Sequence, residues 1–120
     1  MSGLYKDLKV WQRSLELVCE IYRQTQGFPK EEMYGLTAQM RRAAVSVCSN
    51  VAEGKGRSSD KDFVLFLCYA RGSLLELETQ VIIAQKLGYL QRNAQDEIEK
   101  RTAEIGKMLN GLMNSLRVAA

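Results

Sequence analysis

Residues 60–87 read DKDFVLFLCYARGSLLELETQVIIAQKL, a run without proline in which apolar side chains return every three or four positions. Phe63, Phe66, Ala70, Leu74, Leu77, Val81 and Ala84 make one stripe, at the spacing that gathers side chains on one side of an α-helix. A second stripe follows Leu65, Cys68, Gly72, Leu75 and Ile82. A helix apolar on two sides cannot bury both against one small core. In a chain of 120 residues the second stripe therefore reads as an oligomer interface. Ser58, Ser59 and Asp60 offer capping oxygens before this helix, and Gly88-Tyr89-Leu90 ends it.

The same periodicity extends in both directions. A first helix is predicted over about 7–26, with Leu8, Trp11, Leu15, Val18, Tyr22 and Thr25 as its buried stripe and a weaker stripe at Val10, Leu17 and Ile21. Asp7 is its expected cap, and Gly27 its expected left-handed end. Phe28-Pro29 then forces an extended turn, because the proline ring disfavours helix at the residue before it. The second helix is predicted over about 34–54, burying Leu36, Met40, Ala43, Val47 and Val51. Its flank is small (Ala43, Ala44, Ser46, Cys48, Ser49, Ala52), which lets another helix approach closely. The third covers 60–87. The fourth, over 94–117 with Asn93 as cap, carries Ile98, Thr102, Ile105, Leu109, Leu112 and Leu116 opposite a charged side. The last residues, from Arg117 to Ala120, are expected to fray. Four helices joined by short turns predict an all-α fold, a single domain over 1–120 built as an up-down-up-down left-handed four-helix bundle.

Composition narrows the chemistry. At 46% hydrophobic and 26% charged the chain has ordinary globular character, so disorder is excluded. Histidine is absent, which removes the usual general base and makes the Glu-x-x-His di-metal site of bundles impossible. Cys19, Cys48 and Cys68 form no CxxC pair, so no zinc site is expected, and free thiols of this kind suit core packing in a reducing cytosol. Gly54-Lys55-Gly56-Arg57-Ser58-Ser59 lacks phosphate-loop spacing and follows a helix instead of a strand. Glu53 and Glu76 could form an acid pair, but carboxylates that pair with Arg41 or Arg42, or bond Asn50 and Ser73, account for them better. The protein is accordingly read as no enzyme, with no metal and no cofactor. The N-terminus has no apolar leader and no segment reaches the ~18 apolar residues of a membrane span, so a cytoplasmic location is expected.

Seventeen Lys and Arg against fourteen Asp and Glu give +3, a balance that permits a polyanionic partner without requiring one. Arg41, Arg42, Lys55, Arg57 and Arg71 are the candidate nucleic-acid-binding residues. Their plain alternative is a hydrated surface or ion pairs. Aromatic residues do not interleave with them, so base stacking on single strands has no support.

Several segments together resemble a known family. Asp7-Leu8-Lys9-Val10-Trp11-Gln12, Phe28-Pro29-Lys30-Glu31-Glu32, Tyr34-Gly35-Leu36-Thr37 and Gln39-Met40-Arg41-Arg42-Ala43-Ala44-Val45-Ser46 resemble the four-helix-bundle proteins encoded in 23S rRNA intervening sequences. So do Asn50-Val51-Ala52-Glu53-Gly54 and Gly72-Ser73-Leu74-Leu75-Glu76-Leu77-Glu78-Thr79-Gln80. That family is similar in turn to the accessory variability protein of diversity-generating retroelements, a basic pentamer that associates with a reverse transcriptase and with nucleic acid. The resemblance implies a bacterial homopentamer, with RNA or a nucleic-acid-processing protein as partner. Five copies would sum to about +15 formal charges, enough to hold a polyanion that one subunit cannot. The alternative is a protein–protein interaction scaffold indifferent to nucleic acid. Relatives often carry proline where this chain has Cys48, so its second helix is expected to run straighter.

Overall fold

Helical hydrogen bonding takes up nearly every stretch between the turn signals. The structure, a computed structural model, describes residues 4–119, with side chains described to Arg117; residues 1–3 and 120, the ends of the expected domain, lie outside it. After a 3₁₀ turn at Tyr5–Asp7 come α1 (Lys9–Thr25), a second 3₁₀ turn (Lys30–Glu32), α2 (Leu36–Lys55), α3 (Asp60–Lys86) and α4 (Arg92–Ala119). No strand occurs among the described residues. Each helix touches two others: α1 meets α2 and α4, and α3 meets α2 and α4, with no backbone contact across either diagonal. The result is a four-helix bundle measuring 46 × 22 × 22 Å.

One apolar core runs its length. Leu17, Ile21, Met40, Val47, Val51, Leu67, Leu77, Val81, Ile98, Ile105, Leu109 and Met113 are fully enclosed. The two stripes of α1 exchange roles relative to the sequence reading. Val10, Leu17 and Ile21, the weaker stripe, face the core, whereas Leu15 and Tyr22 are 43% and 42% exposed. The reason is that Ser14 joins the inner face and links Val10 to Leu17, Ile21 and the expected Thr25. Ser14 donates to the Val10 carbonyl at 2.7 Å and Thr25 to the Ile21 carbonyl at 2.8 Å, so neither hydroxyl is buried unpaired. Leaving Ser14 out of both stripes hid the true seam, while Thr25 is buried as expected.

Smaller corrections follow the same logic. On α3 Leu67 is enclosed and Phe66 only half-buried, its ring meeting Tyr69 edge-on at 5.4 Å. On α4 Met113 fills the place expected of Leu112 and Leu116, which merely lean on the core. Leu8 instead of Asp7 stands at the N-cap of α1, with no side-chain cap bond. Asn93 lies inside the first turn of α4. Helix is retained through Ala119 where fraying was expected, and Ala120 is outside the described residues. Ser59 does cap α3, accepting from the Asp62 amide at 3.1 Å.

The left-handed residue is Gly88, not Gly27. Its φ of +82° follows α3, where the Tyr89 amide reaches back to the Ala84 carbonyl at 2.9 Å and closes the helix end. Gly54 is the position of closest helix approach. A Cβ there would lie 2.8 Å from Phe66 Cβ and 3.0 Å from Phe63 Cδ1. α2 runs unbroken through Cys48.

Candidate nucleic-acid interface and outer apolar surfaces

The five basic residues do not converge. Arg41 closes the end of α1: its Nε donates to Thr25 Oγ1 at 2.9 Å and its Nη2 to the Tyr22 carbonyl at 3.3 Å, while the guanidinium lies 4.4 Å from the Tyr22 ring. A cation there meets the negative end of the helix dipole. Arg57 bonds Glu53 at 2.6 Å and stacks 4.5 Å from the Phe66 ring. Lys55 Nζ sits 5.9 Å from the Phe63 ring, so Lys55 and Arg57 share one end of the bundle over successive aromatic rings. Arg71 turns toward α4 and donates to Asn110 Oδ1 at 3.1 Å. Arg42 is exposed and joins no ion pair among the described residues. Arg41 and Lys55 are separated along α2 by about 21 Å at the helical rise per residue.

The acidic residues are also dispersed. Glu53 pairs with Arg57, in place of the Arg41 or Arg42 expected for it. Among the described residues Glu76 accepts only from Gln80 Nε2, at 3.4 Å. Asn50 and Ser73 serve a different purpose: Asn50 donates to the Ser46 carbonyl at 2.8 Å, and the Ser46 and Ser73 hydroxyls lie 2.9 Å apart across α2 and α3. No group of three His, Cys, Asp or Glu able to hold a metal occurs among the described residues. None of the helices described is long and apolar enough to cross a membrane.

The outer side of α3 presents the second stripe to solvent. Leu65, Leu75 and Ile82 are 45%, 58% and 41% exposed, and Gly72 lies open between them. Cys68 departs from the expectation. It is half-buried, leans on the core and points its Sγ at Met113 Sδ, 3.6 Å away. Tyr69, Ile83 and Leu87 widen the face; the first two follow Leu65 in the same four-three spacing, the signal that would have found them.

A second apolar surface was not anticipated. Tyr5, Trp11, Leu15, Val18, Val45, Cys48, Ser49 and Ala52 line a groove of about 320 Å³ between α1 and α2. Tyr5 and Trp11 meet edge-on at 5.3 Å along it. Cys48 forms its floor, and burial pushes that thiol up to about 11, with the charge of Cys19 adding to the effect. At the opposite end Tyr89 donates to Glu32 Oε2 at 3.1 Å, a bond that holds its hydroxyl above the usual range. The charged side of α4 is partly engaged: Arg13 reaches Glu104 at 3.7 Å and Arg101 reaches Glu16 at 3.8 Å, tying α4 to α1.

The sequence profile of 23S rRNA-intervening sequence proteins matches residues 6–111 of this chain. The chain belongs to that family. Among solved structures, the intervening-sequence bundle is similar to a protein of unknown function from the S23 ribosomal protein family of Bacteroides thetaiotaomicron, at 23% identity and a TM-score of 0.78, over 87% of this chain and 97% of that one. That likeness is one of fold. No curated protein matches the chain.

Proposed function

We propose that the protein is a non-enzymatic, self-associating bundle of the intervening-sequence type, acting in the cytoplasm, that holds RNA or a ribonucleoprotein on basic residues repeated around the assembly. In this reading the helices run up-down-up-down with left-handed crossings near about 20°, as short connections and four-three spacing favour. The observation that carries it is the outer face of α3, where Leu65, Leu75 and Ile82 stand in water on a lone protomer. Association removes that surface from solvent and multiplies the +3 of each copy; the homopentamer implied by the resemblance would reach about +15. Arg42 and Lys55 are the cations most available to phosphate. Arg41, Arg57 and Arg71 already hold protein partners and contribute only where they exchange them. A nucleic-acid-processing protein, such as the reverse transcriptase of the related retroelements, is the protein partner that suits this reading.

The test is electrophoretic retardation of a fluorescent structured RNA. Retardation at low salt that fades steeply as salt rises is expected, because each phosphate contact releases counterions. Arg42→Glu combined with Lys55→Glu should abolish the shift while Arg71→Glu weakens it less. Unretarded RNA at low salt sinks the RNA part of the proposal. The engagement of three of the five cations favours a second reading, a protein–protein scaffold; capture of a defined protein that survives nuclease treatment would establish it.

A further inference from the structure

We propose that copies associate head to tail, the outer ridge of α3 in one copy seating in the α1/α2 groove of the next. This rests on the self-association proposed above and adds which surfaces meet. The protomer carries two exposed apolar surfaces of unlike shape. One is convex: branched side chains at Leu65, Leu75 and Ile82 project from α3 on either side of Gly72. The other is concave: Cys48, Ser49 and Ala52 keep the wall of the groove low between Leu15 and Val18 on one side and Val45 on the other. Small residues are what allow a helix to come close, and among the described residues only Tyr5 and Trp11 border the groove from the N-terminal side.

The spacing suits the pairing. Leu65, Tyr69, Gly72, Glu76, Thr79 and Ile83 are exposed in alternating steps of four and three, with Leu75 and Ile82 beside them, the pattern that keeps a ridge against a neighbouring helix pair over several turns. Charge is complementary as well. Glu76 is the acidic residue exposed one position beyond Leu75, and Arg42 is the cation exposed one turn before Val45; neither joins an ion pair among the described residues. A ridge-to-groove contact brings opposite charges to one apolar seam, whereas ridge on ridge would place two Glu76 carboxylates together. Because the two surfaces are different and do not overlap, every copy both gives and receives. Such a contact closes into a ring or grows as a filament and does not stop at a two-fold dimer.

Two variants test it: Leu75→Arg blocks the ridge and Leu15→Arg blocks the groove. Light scattering of each alone should give the single-chain mass of 13.6 kDa, and an equal mixture should give twice that mass. In the mixture one intact ridge meets one intact groove, and growth ends there. If either variant alone keeps the wild-type assembly, or the mixture stays at the single-chain mass, the ridge-to-groove pairing is overturned while the association stands. A wild-type protein that itself scatters as one chain overturns the association and the pairing together. Should an arginine variant lose its helical circular dichroism, Leu75→Ser and Leu15→Ser repeat the mixing with the same three outcomes.

Discussion

The inner and outer faces of α3 have nearly the same composition and opposite fates. Leu67, Leu74, Leu77 and Val81 are wholly or almost wholly enclosed, while Leu65, Leu75 and Ile82, each one or two positions away in sequence, remain 41–58% exposed. Hydrophobicity alone does not separate them. What does is the direction in which α2 and α4 approach, set by Gly54 against Phe63 and Phe66 on one flank and by Arg71 with Asn110 on the other. The comparison shows that an apolar stripe states a need for burial without stating which chain supplies it.

The largest expected effect sharpens this contrast. Leu77→Ala opens a cavity where α3 meets its neighbours and should destabilise the fold by about 2–5 kcal/mol. Leu75→Ala, two residues earlier, should change the stability of the dilute protomer by no more than about 0.5 kcal/mol. Chemical denaturation of both variants at the lowest workable protein concentration compares them. Equal losses would mean that the outer face is already covered within one chain.

The boundary between inside and outside is probed by Cys48, which floors the groove at 7% exposure. Its thiol is raised from an ordinary 9.0 to about 11, so the folded state keeps a proton that the unfolded chain releases first. The sign is therefore fixed: stability from this group is complete below about pH 9 and is lost as pH rises toward 11. The loss is on the order of 2 kcal/mol from a shift of this size. Urea titrations between pH 8 and 11 should show a decline in the wild type that is shallower in Cys48→Ala. Parallel slopes in the two proteins would place the thiol in water.

Much of this was legible because the inner stripes of α2, α3 and α4 are largely apolar, and Met40, Val47, Val51, Leu74, Leu77, Val81, Ile98, Ile105 and Leu109 fell where spacing put them. α1 was misread because its inner seam runs through Ser14, a hydroxyl that satisfies itself on its own helix. Pattern counting cannot see that a polar residue carries its partner with it. The basic residues were found as residues but not as a site. Their separation depends on helix pairing, and Arg41, Arg57 and Arg71 are held by Tyr22, Glu53 and Asn110, from nearby turns or distant helices alike. The groove escaped notice for the same reason: Leu15 and Val45 become neighbours only once α1 and α2 have packed.

The smallest of the expected losses within the core concerns the contact that orients α3. Gly54 is the penultimate residue of α2, so replacing it with alanine gains less than the ~1 kcal/mol of helix propensity available at a helix interior. Against that stands a Cβ placed 2.8 Å from Phe66 Cβ and 3.3 Å from the Phe63 carbonyl, atoms fixed to the backbone of α3 that cannot swing aside. Overpacking of this kind costs about 1–3 kcal/mol, and the net loss in Gly54→Ala should be about 1–2 kcal/mol. Relief is available only if the start of α3 moves away from α2, which would also lift Phe66 from beneath Arg57. Thermal unfolding reads the net sign. A stabilised Gly54→Ala would mean that α2 and α3 stand farther apart than a 2.8 Å approach to Phe66 Cβ allows, and that the outer ridge of α3 meets solvent at a different angle.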